Sequence, residues 1–272
     1  MATQFQTGRA LAGWHTLGAP KAAGAAPNDT LVHGPLIVVN PAVGSVHVLA
    51  SLRHSGVFRR SRNPDGNWGG WKPVTDRAYP SEPGVVMTEG GPLEVLATGP
   101  GGADRWVGTS NGRFELADSI GTPIVAGTVT AHETGPKRAT YFWRYPGDGS
   151  LVAWRRPQGQ PGAGGGLMPL GGAGGTGAPS VTRALVNGYD CTVLAQTSLE
   201  GAVEVAAYVT ENEGYGMWWA RIEGLGIQSP QVAVDGAGRI VVAALDKEGD
   251  LLVARQDPGQ EGLAFGPWGR VG

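Results

Sequence analysis

Pro35-Leu-Ile-Val-Val-Asn40 is an apolar run opened by a proline, followed by a Pro/Gly turn and a second run, Ser45-Val-His-Val-Leu-Ala50. A third run, Gly56-Val-Phe-Arg-Arg60, leads through an Asn-Pro-Asp-Gly turn to Trp68-Gly-Gly-Trp71-Lys-Pro-Val74. Comparable units open at Pro83, Pro123, Pro179 and Pro230, at spacings of 48, 40, 56 and 51 residues, and the last runs to Gly272. Self-similarity at about 40–50 residues, with about four short strands per unit, is the sequence signature of propeller blades.

The expectation is therefore an all-β chain forming a single β-propeller of four-stranded antiparallel blades. Five blades fit the repeats, at about 35–82, 83–122, 123–178, 179–229 and 230–272. Residues 1–34 are then an N-terminal closing segment, or part of a reduced sixth blade. Their phrase Ala12-Gly-Trp14-His-Thr-Leu17 reads as an outer strand with no blade in front of it.

First runs should line the hub: Gly84-Val-Val-Met87, Ile124-Val-Ala-Gly127, Ser180-Val-Thr182 and Gln231-Val-Ala-Val234. Turns such as Asp148-Gly149, Asp235-Gly236 and Glu248-Gly249 are hairpin signals, because glycine supplies a positive φ. No stretch of eleven residues carries a convincing amphipathic helical period. The segment from Pro157 to Gly177 is so rich in glycine that it reads as a long mobile loop between strands.

Composition narrows the function. With 41% hydrophobic and 16% charged residues, the chain is neither disordered nor membrane-spanning, and its apolar stretches are only strand-length. A net charge of −2 offers no basic field for nucleic acid. The groups Arg59, Arg60, Arg62 and Arg155, Arg156 lie near acidic residues. One cysteine, Cys191, cannot form an intramolecular disulfide and sits in a strand-like run as a small hydrophobe. The N-terminus lacks a cationic segment followed by an apolar core. The expectation is a chain that is cytoplasmic as made, or part of a particle released by another route.

Trp68-Gly-Gly-Trp71 is the strongest outer-strand mark, with Gly266-Pro-Trp268 and Met217-Trp-Trp219 as further copies. Together with Val57-Phe-Arg-Arg60 and the looser Gly13-Trp-His-Thr-Leu-Gly18 and Gly266-Pro-Trp-Gly-Arg-Val-Gly272, this phrase resembles the tectonin and PLL-type β-propeller lectins of bacteria. The resemblance spans most of the chain in rhythm but is specific in residues only in the first unit. It implies binding of fucosylated or methylated sugars in clefts between blades, usually without metal. It also implies a place as a recognition module of a larger injection or toxin assembly.

Nine tryptophans can serve two purposes. An aromatic face covers the C–H face of a pyranose, and an aromatic side chain also buries a large area between blades. Trp14, Trp68, Trp71 and Trp268 recur with the repeat and read as packing. Aromatics outside it are the ligand candidates: Trp106 with Asp104 and Arg105, Trp143 with Arg144 and Tyr145, and Trp218 and Trp219 with Tyr215. Trp218 and Trp219, adjacent on a strand, must point to opposite faces, one buried and one exposed.

Catalytic readings are weaker. A propeller glycosidase needs two carboxylates converging at the channel mouth, whereas acids near the hub runs are sparse: Glu89, Glu133, Asp190 and Asp235. The five histidines, His15, His33, His47, His54 and His132, lack the spacing of a zinc site. No nucleophile elbow, phosphate-cradling loop or calcium loop is present. No catalytic residue, metal or cofactor is expected. The expected partner is a glycan or glycoconjugate. A protein assembly, for which the chain would be an adaptor or structural piece, is the second expectation, and a small-molecule enzyme the third.

Overall fold

The alternation of short apolar runs with Gly- and Asp-rich turns folds as five consecutive four-stranded antiparallel sheets, each in simple up-and-down order. The structure, a computed structural model, describes residues 2–7, 10–20, 28–40, 42–157, 164–210, 212–257 and 259–271, with side chains from residue 16 onward apart from Glu213. Blade one comprises Leu36–Asn40, Ser45–Leu52, Gly56–Arg62 and Lys72–Pro73. Blade two comprises Gly84–Met87, Leu93–Gly99, Gly102–Gly108 and Phe114–Ile120. Blade three follows with Thr130–Gly135, Arg138–Arg144, Leu151–Arg155 and Gly166–Gly171. Blade four has Gly175–Val186, Tyr189–Ser198, Val203–Val209 and Met217–Ile222. Blade five has Gln228–Val234, Ile240–Leu245, Leu251–Arg255 and Gly269–Arg270.

This is a five-bladed β-propeller, as the repeat predicts. A further two-stranded sheet, Ala2–Thr7 with Ala10–Thr16, stands apart from the five, with Gln4 opposite Trp14. Leu17 follows it into the core and lends its carbonyl to the Arg60 guanidinium and the Trp71 indole. Leu31 bridges to Leu52, so the approach to the first blade also runs along its second strand.

Two expectations about blade three need correction. Its inner strand is Thr130–Gly135, not Ile124-Val-Ala-Gly127. Residues 125–128 form a turn, closed by the Thr128 amide and hydroxyl on the Val125 carbonyl, with Gly127 at φ 73°. The glycine-rich segment is not one long loop either. Gly166–Gly171 is the outer strand of blade three, and Gly175 opens blade four, while 158–163 lie outside the described residues.

Each strand alternates between the two neighbouring blades, because successive side chains point to opposite faces. In blade two, Val95, Ala97 and Trp106 pack on Leu49, Val57 and Val74 of blade one. Leu96 and Ala103, one position out of phase, pack on Tyr141, Trp143 and Trp154 of blade three. Phe142 and Ala153 of blade three meet Leu194 and Tyr208 of blade four, and Val193 and Val205 of blade four meet Ile240 and Val242 of blade five. Trp268 packs against that last cluster, the blade-packing role expected of it.

Candidate functional site: an inter-blade cleft

The parity that builds the core also aims polar side chains into the seams. Glu94, on the second strand of blade two, and Arg105, on the third, both face blade three. The guanidinium donates to Glu94 from Nη1 at 2.5 Å and to Asp118 from Nε at 2.7 Å. The Tyr141 hydroxyl, from blade three, donates to the same Glu94 carboxylate at 2.7 Å. Trp154 lies next to Tyr141, ring centroids 5.9 Å apart, and the Arg105 guanidinium stands 5.9 Å from the indole. Glu94, Arg105, Tyr141 and Trp154 floor a cleft of about 360 Å³ whose rim carries Lys137, Arg138 and Arg156. Gly165 passes directly over the indole, where a Cβ would come within 2.0 Å of Cε2.

The electrostatics follow from this packing. Burial works against the Arg105 charge, but Glu94, Tyr141 and Asp118 outweigh it and hold the guanidinium above its ordinary pKa. Burial, reinforced by the Glu94 charge, pushes the Tyr141 phenol well above its usual range, so it stays a hydrogen-bond donor. The result is a buried donor and acceptor pair beside two aromatic rings, already oriented before any ligand arrives.

Blade one repeats the arrangement with different chemistry. Arg59 is the fourth residue of its third strand, as Arg105 is in blade two, and it stands 5.1 Å from the Phe114 ring. His47 pairs with the sixth residue of that strand, as Glu94 does in blade two. Its Nδ1 lies 2.8 Å from the Ser61 hydroxyl and its Nε2 3.3 Å from that of Ser45. Burial, with the Arg59 charge adding to it, pushes the His47 pKa down to about 4. Because the folded value lies below the unfolded one of 6.5, the unfolded chain binds the extra proton first as the pH falls. Stability is therefore level above about pH 6.5 and declines toward about pH 4, by about 3 kcal/mol from this residue. His132, lowered by burial and by Arg183, acts in the same direction. Urea unfolding across this range should show a shallower decline for His47→Gln than for the parent chain; equal slopes would refute the assignment.

The sequence-predicted residues scatter. Arg105 is in the cleft, but its neighbours in sequence face elsewhere. Trp106 is buried against blade one, donates its indole N–H to the Tyr79 hydroxyl at 3.1 Å, and lines a separate cleft of about 510 Å³ with Lys72, Arg113 and Phe114. Asp104 accepts from Arg77, Tyr79 and Ser119 and lines a separate cleft of about 360 Å³. Trp143 is 0% exposed and packs in the seam with blade two. Arg144 is equally buried, its guanidinium spent on protein carbonyls. Tyr145 is exposed just beyond the second strand of blade three, and Tyr215 is exposed on the 3-10 turn Glu213–Tyr215. Trp218 is exposed, while Trp219 is partly buried and lines a cleft of about 250 Å³ with Gly172, Glu204 and Arg221. That division between Trp218 and Trp219 is the one their adjacency requires.

Glu94, Tyr141, Trp154 and Asp118 were not singled out by sequence reasoning. Parity could have joined Glu94 to Arg105, since residues two apart on paired strands share a face, but the blade-three partners need the packed fold. Among the described residues no group of three or more His, Cys, Asp or Glu side chains could hold a metal ion.

The molecule thus belongs to the class of all-β propellers with polar clefts between blades. No protein-family model matches the chain, and no curated protein matches it. Solved structures do. AofleA from Arthrobotrys oligospora superposes with a TM-score of 0.62 at 12% identity, over 88% of this chain and 73% of that one. The fungal lectin from Aleuria aurantia, a six-bladed propeller described with a novel mode of fucose recognition, gives 0.57 at 11%, over 88% and 78%. The lectin SapL1, solved with α-methyl fucoside, gives 0.53 at 12%, over 87% and 94%. At such identities the likeness establishes the propeller fold.

Proposed function

We propose that this chain is a carbohydrate-binding propeller and that the cleft between blades two and three is a glycan site. The observation that carries the reading is the juxtaposition of a buried Glu94–Arg105 pair with Tyr141 and Trp154 across the blade seam. A carboxylate and a guanidinium side by side match the vicinal hydroxyls of a sugar, one accepting and the other donating. The aromatic edge supplies the apolar contact that a pyranose C–H face requires. A cleft of about 360 Å³ is of the size that holds a small ligand. The lectins among its structural neighbours, SapL1 among them solved with α-methyl fucoside, support the same reading. Weak single sites of this kind gain strength through multivalent display.

The test is a glycan array with the intact chain and with Glu94→Gln, which keeps the shape and removes the charge. Losing a hydrogen bond to a charged group costs about 1.5–3 kcal/mol, so binding should fall by about tenfold or more. A blank array from protein with an intact unfolding transition would overturn the proposal.

A second reading, a protein-docking module, has its own observation. Ile37 and Val39 on the inner strand of blade one are 63% and 53% exposed, and Val43 in the following turn is exposed beside them. Leu36 and Val38, in the opposite phase, pack toward blade two. A blank array would transfer the assignment to this face.

A further inference from the structure

We infer that the cleft between blades two and three takes an anionic sugar, one bearing a carboxylate or a sulfate ester, and that Lys137 and Arg156 read its negative charge. This rests on the glycan-site reading and goes beyond it to the class of ligand. The residues lining the cleft include four cations, Arg105, Lys137, Arg138 and Arg156, and one carboxylate, Glu94. Their arrangement in depth matters more than their number. Glu94, Asp118 and Arg105 lie together at the same depth, their side chains keeping only 10–12% of their surface, whereas Lys137 is exposed and the Arg156 side chain keeps 42%. An arriving ligand therefore meets positive charge at the mouth and the neutralised pair only at the floor.

Arg156 is held in place rather than free. Its guanidinium donates to Asp118 Oδ1 from Nη2 at 2.7 Å and from Nε at 3.1 Å, which fixes it at the rim with its outer face to solvent. Lys137 is placed at a conformational cost. It follows Pro136 in the turn between the first two strands of blade three and has φ 58°. That position in a turn favours glycine. The chain uses glycine at most of its positive-φ positions; among the described residues only Lys137, Asn187 and Ser229 depart from this. A side chain retained against backbone preference beside a cleft points to a use for it. Glu133 caps the same turn, accepting from the backbone amides of Lys137 and Glu89 at 2.9–3.0 Å. Glu133 and Glu89 border the turn and temper its field without entering the lining of the cleft.

The experiment uses an array of matched oligosaccharides: neutral, sialylated, uronate-terminated and sulfated. The intact chain should prefer anionic members, and the preference should shrink with added salt, since exposed charges are screened within about 10 Å at 0.1 M. Lys137→Gly removes the charge and relieves the backbone, so its thermal midpoint should hold or rise. Its affinity for the anionic glycan should fall by up to about fivefold, the upper end for a single exposed ion pair, and by more than its affinity for neutral glycans. Arg156→Gln should act alike. Selectivity for carboxylates or for sulfates would each support the inference and name the group. Equal binding of neutral and anionic glycans would overturn it while leaving the glycan site standing, as would an unchanged preference in both variants. Binding of neither class would overturn the site itself.

Discussion

Replacing Arg105 by alanine should destabilise the propeller by about 3–5 kcal/mol and abolish binding at the cleft. The size follows from what the guanidinium leaves behind. Glu94 and Asp118 are both nearly buried and both bonded to it. Asp118 retains Arg156, but Glu94 would keep only the Tyr141 hydroxyl. A carboxylate stripped of its cation inside a protein costs several kcal/mol, far more than the intact pair contributes over an apolar replacement. The consequence is a sign that can be measured. Arg105→Met combined with Glu94→Leu should be less damaging than Arg105→Ala alone, because no unpaired charge remains. Urea unfolding of the two variants decides the matter. If the double variant is the less stable by the sum of its parts, the pair is not coupled and the electrostatic account of the cleft fails.

The same cleft shows what could be read in advance and what could not. The blades were legible because each must bury two faces, and this demand writes alternating apolar runs and turn glycines into every unit. Pro35, Pro83 and Pro230 precede or enter inner strands as the repeat suggests. The rule misled at Pro123, because Ile124-Val-Ala-Gly127 has the composition of a strand but Gly127 bends it into a turn. Grouping Asp104, Arg105 and Trp106 as one site overlooked the pleat. Arg105 faces blade three, while Trp106 packs into the seam with blade one. Trp143 and Trp154 show why aromatic content alone cannot locate a site: both face the seam with blade two, one under the core and one at the edge of a cleft. Glu94 and Trp154 are separated by sixty positions and meet only once two blades have packed, so no local motif records their meeting.

Arg144 should prove as costly to remove as Arg105, and for a reason unconnected with ligand. Its guanidinium donates to the carbonyls of Gly177 at 2.7 Å, Gly149 at 3.0 Å and Thr176 at 3.1 Å, and to Oε1 of Gln196 at 2.9 Å. Two of these carbonyls and the glutamine belong to blade four, so one side chain ties the two blades together at the point where the chain crosses between them. Burial pushes its pKa down to about 10, still high enough to keep the charge at neutral pH. Gly175 makes room for this knot, since a Cβ there would lie 2.1 Å from Nη1. Arg144→Met would leave buried acceptors without donors, at about 1–3 kcal/mol each where water cannot replace them. A net loss of about 3–5 kcal/mol is expected, because water can re-enter part of the space. Lysine should recover only a fraction, as a single ammonium cannot span acceptors set out for a planar fork. Chemical unfolding measures the loss, and a glycan array run at low temperature separates it from function. Arg144→Met should keep the ligand preference of the parent chain wherever it remains folded, whereas a ligand-contacting arginine would lose that preference first.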